Sequence, residues 1–153
     1  MTRILVISDI HHNQNNLFNL LNRIQGINIV IFLGDGERNF FKITDQFKKL
    51  EYYSVKGNCD FSSFSQEEEF IEISGIKIFF THGHTYGVKF TYYQLIEKAK
   101  KLNANILLFG HTHTKYYEYS DGMHIINPGS LSESKKSYAL IDIAQNGIAV
   151  NLG

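Results

Sequence analysis

Apolar residues fall along this chain in two rhythms. At RILVIS (3–8) and IVIFL (29–33) they run almost unbroken and rich in β-branched side chains, which is how a strand buried on both faces reads. Between them Leu17, Leu20, Leu21 and Ile24 repeat at the 3.6-residue spacing of a helix face, and Asn13 is placed to cap that helix by accepting from its first free amides. Phe40, Ile43, Phe47 and Leu50 predict a second helix over 39–50, and YYSV (52–55) a third strand. Strand, helix, strand, helix, strand implies right-handed crossovers and a parallel sheet.

The second half changes rhythm. FIEIS and IKIFF flank Gly75 as a hairpin, Leu95, Ile96, Ala99 and Leu102 mark a helix, and ILLF (106–109) is one more buried strand. Short strands follow at TKYYEYS, MHIIN, SYALIDI and GIAVNL, separated by turn signals at Asp121-Gly122, Asn127-Pro128-Gly129 and Asn146-Gly147. A parallel half followed by a mostly antiparallel half predicts two packed sheets with helices outside, in one α/β domain spanning residues 1–153.

Composition narrows the function classes. Fifteen basic and fifteen acidic side chains balance, and no Lys/Arg cluster forms the stripe that tracks a nucleic-acid backbone, so no extended nucleic-acid groove is expected. No apolar run reaches the ~20 residues of a membrane helix. The single cysteine excludes an intrachain disulfide, and no secretory pattern precedes the first apolar run, so a reducing, cytoplasmic location is expected.

The candidate chemistry sits at the strand exits. SDIH (8–11), GDG (34–36), GNCD (57–60), THGH (81–84) and GHTH (110–113) each follow an apolar strand, and open α/β sheets gather their binding groups at that end. Asp9, His11, Asp35, Asn58, His82, His111 and His113 would meet there as oxygen and imidazole donors. Such a set suits divalent metals of intermediate hardness and exceeds the roughly four ligands of one closed zinc site, so two ions are expected. Glycines 34, 57, 83 and 110 would let the backbone come close to them.

The order D-x-H, G-D, G-N, H-G-H, G-H-x-H resembles the calcineurin-like metallophosphoesterases, and GNCD and THGHTYGVK in so short a chain resemble their small single-domain bacterial and archaeal phosphodiesterase branch. The resemblance runs from Ser8 to the NPGS at 127–130. It implies a four-layer α/β/β/α sandwich of two mixed sheets. It implies that Asp9, His11 and His113 hold one ion, that Asn58, His82 and His111 hold the other, and that Asp35 bridges them, with Asp35, Asn58 and His111 central to catalysis. Two neighbouring cations would acidify a bound water and offset charge on the ester oxygens. The implied activity is hydrolysis of a small phosphodiester with manganese, nickel, iron or zinc, manganese foremost.

At residue 59 many relatives of that kind carry a histidine that protonates the leaving alkoxide. Cys59 would do this poorly at neutral pH, which favours esters with good leaving groups. Read as packing, Cys59 is a small buried filler; read as chemistry, it joins Asn58 and His84 as a substrate contact. A protein-interaction scaffold like the retromer subunit of the same fold, a phosphomonoesterase and a nuclease are the competing readings, and self-association stays open.

Overall fold

The computed structural model describes residues 1–132, 134 and 136–153. Strands β1 (Thr2–Ile7), β2 (Ile29–Phe32) and β3 (Glu51–Ser54) alternate with helices α1 (Gln14–Arg23) and α2 (Glu37–Thr44). Next come β4 (Glu68–Ile73), β5 (Ile76–Thr81), a short 3₁₀ turn at His84–Tyr86, α3 (Tyr93–Lys101) and β6 (Ile106–Leu108). The chain ends with β7 (Lys115–Ser120), β8 (Met123–Pro128), β9 (Ala139–Ala144) and β10 (Gly147–Leu152). One sheet has the order β10-β9-β1-β2-β3 and the other β4-β5-β6-β8-β7.

The two-residue period of a strand explains how these sheets form layers. Along β1, Ile4 and Val6 point into a core shared with Ile29, Ile31, Ile78, Phe80, Ile106, Leu108, Ile126 and Ile141, which lies between the sheets. Leu5 and Ile7 point the other way, onto Leu17, Leu20 and Leu21 of α1 and Phe40 and Ile43 of α2. Phe79 and Leu107 likewise leave the central core to meet Leu95 and Ala99 of α3. Helices, sheet, sheet and helix therefore stack as the four layers expected.

Three expectations need correction. The second half does not make a mostly antiparallel sheet of its own: β5, β6 and β8 pair in parallel, with β4 and β7 as antiparallel edges. Burial decides this order, because β8 is buried along nearly its whole length and takes the interior slot, while the tyrosine-rich β7 is largely exposed and takes the edge. The last hairpin returns to the first sheet, where β9 covers the free edge of β1 in antiparallel register. The second correction is that α2 stops at Thr44, and Gln46, Phe47 and Leu50 continue as i→i+3 turns, with the Thr44 hydroxyl taking the Phe41 carbonyl. The third is that the Asn13 side chain makes no cap bond; its amide instead lies 3.5 Å from the Ser132 carbonyl.

The β1–β9 junction carries a pH-dependent contact. Arg3 donates from Nε and Nη2 to the two oxygens of Asp142 at 2.7 and 2.9 Å, directly across the ladder. The bond from Arg3 holds the Asp142 carboxyl below its usual range against the opposing effect of burial. A lowered carboxylate adds stability above its unfolded pKa and loses it as pH falls through the folded one. Thermal melts should therefore show Asp142→Asn below the parent at neutral pH, with the gap closing as pH drops below about 4; a gap constant across that range would refute the assignment.

Candidate metal centre

Each strand exit turns toward one point above the sheets. Asp9 and Asp35 are fixed on adjacent loops: the Asp9 amide donates to Gly34 O and the His11 amide to Asp35 O, both at 2.9 Å. Asp9 is fully buried, with Oδ2 accepting from Ser8 Oγ at 2.6 Å and from the His111 amide at 3.2 Å. Its Oδ1 lies 3.1 Å from His113 Nε2. Asp35 is nearly buried, and its Oδ1 accepts from the Cys59 amide at 2.8 Å.

His82, fully buried at the end of β5, is the pivot. Its Nδ1 lies 2.7 Å from the Leu33 carbonyl, which can only accept, so that nitrogen carries the hydrogen. Nε2 then faces Asn58 Oδ1 at 3.0 Å, His111 Nδ1 at 3.2 Å, Asp35 Oδ2 at 3.3 Å and Asp9 Oδ1 at 3.9 Å. Lone pairs that converge in this way repel one another unless a positive charge sits among them. The titration behaviour reflects the same demand. Burial depresses the His82 pKa, yet the bond to Asp35 and the charges of Asp9 and Asp35 leave it above the usual imidazole value. Burial raises the Asp35 carboxyl, yet the bond and charge of His82, the Cys59 amide and His11 hold it well below the usual range. Burial, and after it the cationic His82 and Lys89, push His111 down to about 4, so its ring nitrogen stays an unprotonated donor at neutral pH.

The donor atoms form three groups whose members lie within 4.8 Å of one another: Asp9, His11 and His113; His11, Asp35 and Cys59; Asp35, His82 and His111. All seven predicted donors thus come together, with Asn58 joining through its contact with His82. Asp35 belongs to two of the groups. Cys59 corrects the packing expectation, for it is exposed at the rim of the site. His84 lies with its ring centroid 5.4 Å from that of His82 and 6.1 Å from that of His111. Its buried Nδ1 has no hydrogen-bond partner among the described residues.

Two features of the site carried no sequence signal strong enough to read. Five of the seven donors, Asp9, His11, Asp35, His111 and His113, have left-handed backbone, with φ between 46° and 67°. That conformation costs a non-glycine residue on the order of 1–2 kcal/mol, and it lets short loops aim consecutive polar side chains inward. The other feature is Asp60. One of its oxygens accepts from the Asp35 and Gly57 amides, both at 2.8 Å, and the other from Gly36 at 2.9 Å and Glu37 at 3.0 Å. Gly36 occupies the N-cap of α2 and has no side chain to offer, so the free amides of that helix had to be satisfied from elsewhere. That unanswered requirement was the available clue.

Close approach explains two of the glycines. A Cβ at Gly57 would lie 2.1 Å from Asp35 Oδ1, and one at Gly110 would lie 2.0 Å from Ser8 Oγ. The NPGS segment closes the arrangement from behind. Buried Asn127 donates to Gly110 O at 3.0 Å and Thr112 Oγ1 at 2.9 Å, and Ser130 Oγ donates to Asp9 O at 2.9 Å.

Residues 2–146 match the family model described as the calcineurin-like phosphoesterase superfamily domain. The chain belongs to that superfamily. The probable metallophosphoesterase YsnB of Bacillus subtilis is a relative 32% identical over 153 residues, covering 96% of this chain and 88% of its own. Phosphodiesterase YfcE of Escherichia coli is 26% identical, covering 93% and 88%. Among solved structures, a predicted phosphoesterase from Streptococcus pneumoniae superposes with a TM-score of 0.83 at 27% identity, covering 99% of this chain and 88% of that one. The chain is thus a calcineurin-like metallophosphoesterase, built on two mixed sheets flanked by helices. Among its described residues no helix is long and apolar enough to cross a membrane.

Proposed function

We propose that this chain is a dinuclear phosphodiesterase whose single domain, residues 1–153, acts on a small ester in the cytoplasm. The observation that carries the reading is the convergence on His82 Nε2 of oxygen and imidazole donors, Asn58 Oδ1, His111 Nδ1 and Asp35 Oδ2, all within 3.3 Å. Asp9, His11 and His113 would hold one divalent ion, Asn58, His82 and His111 the other, and Asp35, shared between donor groups, would join them. Such a pair of ions, manganese first with nickel, iron and zinc as alternatives, would supply a hydroxide nucleophile near neutral pH and offset charge on the ester oxygens.

The chain's own part is orientation. Leu33 fixes the His82 tautomer, and Ser8 and the His111 amide fix the Asp9 carboxylate, so the donors are held before substrate arrives. Asn58 and Cys59 are exposed at the rim and His84 is half-buried beside them, which suits contact with the ester group. With a thiol at residue 59 and no imidazole there, esters with good leaving groups should react best. Similarity to phosphodiesterase YfcE supports the diester over the monoester. The lone free cysteine supports a reducing compartment.

The test is hydrolysis of bis-p-nitrophenyl phosphate by manganese-loaded protein. Turnover should fall to background with a chelator and return with added manganese, and p-nitrophenyl phosphate should be cleaved more slowly. A metal-free, inert protein would favour the scaffold reading, and faster cleavage of the monoester would reverse the substrate class.

A further inference from the structure

Beside the metal centre lies a cleft of about 800 Å³ that the reaction outlined above does not use. Its wall includes Arg38 and Phe41 from α2 and Cys59, Asp60, Phe61 and Phe64 from the loop after β3, with three serines between them. Phe61 is 92% exposed and Phe64 102%, and Phe41 is half-exposed at 47%. A phenyl ring left in water forgoes burial worth roughly 1.5–3 kcal/mol, so rings grouped on one wall mark a surface that expects company.

The loop that presents them is pinned. Asp60 anchors it to four amides, the Lys56 amide donates to Gln66 O at 2.9 Å, and the Ser63 amide donates to Asp60 O at 3.2 Å. Ser65 ties the far end to buried Glu37. The rings are therefore held outward by a fixed backbone.

Three observations identify the occupant. The cleft is continuous with the metal centre through Cys59, which lines the cleft and also groups with His11 and Asp35. Its volume suits one mononucleotide-sized group, and the balanced charge of the chain offers no track for a strand. Its wall combines phenyl faces with hydroxyls and with Arg38, an exposed guanidinium that has no hydrogen bond or ion pair of its own among the described residues. An acyl chain would leave those polar groups unanswered, whereas a heteroaromatic ring offers both a face to stack on and edges to accept from them.

Resting on the phosphoesterase reading, we propose that this cleft seats the base of a nucleoside phosphoester, stacked on Phe61 and Phe64 with Arg38 donating to the ring edge, while the phosphate lies at the metal centre. The test is calorimetric titration of manganese-loaded protein with adenosine 5′-monophosphate and with ribose 5-phosphate, which differ only in the base. The nucleotide should bind at least about tenfold more tightly, and in Phe61→Ala/Phe64→Ala the two should differ by no more than about twofold, with ribose 5-phosphate affinity unchanged. Both side chains are almost fully exposed, so the double variant should melt with the parent. Equal affinities in the parent, or a preference that survives the double substitution, overturn the cleft assignment and leave the phosphoesterase reading standing. Failure of both ligands to bind, together with no turnover of bis-p-nitrophenyl phosphate, overturns that reading and this inference with it.

Discussion

Asp35→Ala is expected to lose its metal and its turnover together, the latter by more than about 100-fold, since even residues that only support a metal ligand change affinity or activity by 10–100-fold. The substitution removes an oxygen that faces His82 Nε2 at 3.3 Å and the acceptor that fixes the Cys59 amide at 2.8 Å. It also takes a member from two of the three donor groups. Metal retention separates this effect from misfolding. In the parent, manganese should raise the melting temperature by mass action, worth about 4 kcal/mol at a thousandfold excess over Kd, and the variant should show almost no such rise. Asp35→Asn, which keeps the size and the bond to the Cys59 amide, should lose metal just as fully while retaining most of the metal-free stability. A variant at this position that still holds manganese and turns over near the parent rate would refute a shared role for Asp35.

The second large effect is expected at Asp60, and it is first an effect on stability. Its carboxylate accepts from four backbone amides on three segments, the Asp35 loop, the first turn of α2 and Gly57. A hydrogen bond to a charged group contributes about 1.5–3 kcal/mol and a helix cap about 1. The four are not additive because they share one side chain, so Asp60→Ala should destabilise by about 3–5 kcal/mol, a fall of roughly 6–20 °C in Tm for a chain of this length. Asp60→Asn is the sharper probe. Its amide NH₂ must face two of the four donors, so it should lose nearly as much despite keeping the shape. Because the same clamp sets Asp35 beside Asn58, manganese affinity should fall in both variants. Melting within about 1 °C of the parent would mean that the clamp contributes nothing.

The strands and helices were legible in the sequence because an unbroken apolar run reads as a strand buried on both faces, as in RILVIS and IVIFL, and a 3.6-residue period as a helix face, as in α1 and α3. Sheet order was less legible. Which of two neighbouring strands takes an interior slot depends on comparing their burial, as between β7 and β8, and the return of β9 to β1 depends on an edge that only the assembled sheet presents. The seven candidate donors could be picked out as a set because each stands just past an apolar run. The packing reading of Cys59 fails because it rested on small thiols being usually buried, and the loop that exposes this one has no period to read. The role of Asp60 could not be read there because its partners are backbone amides, which carry no letter in the sequence.

The left-handed backbone at the donors has a consequence for how such a protein changes over time. Glycine adopts that conformation freely, so at exposed His113 and half-exposed His11 a mutation to glycine relieves backbone strain of about 1–2 kcal/mol while deleting a proposed ligand. Selection for sturdiness alone would therefore drift away from hydrolysis, and a gene copy released from its reaction would settle into an inert, more robust shell.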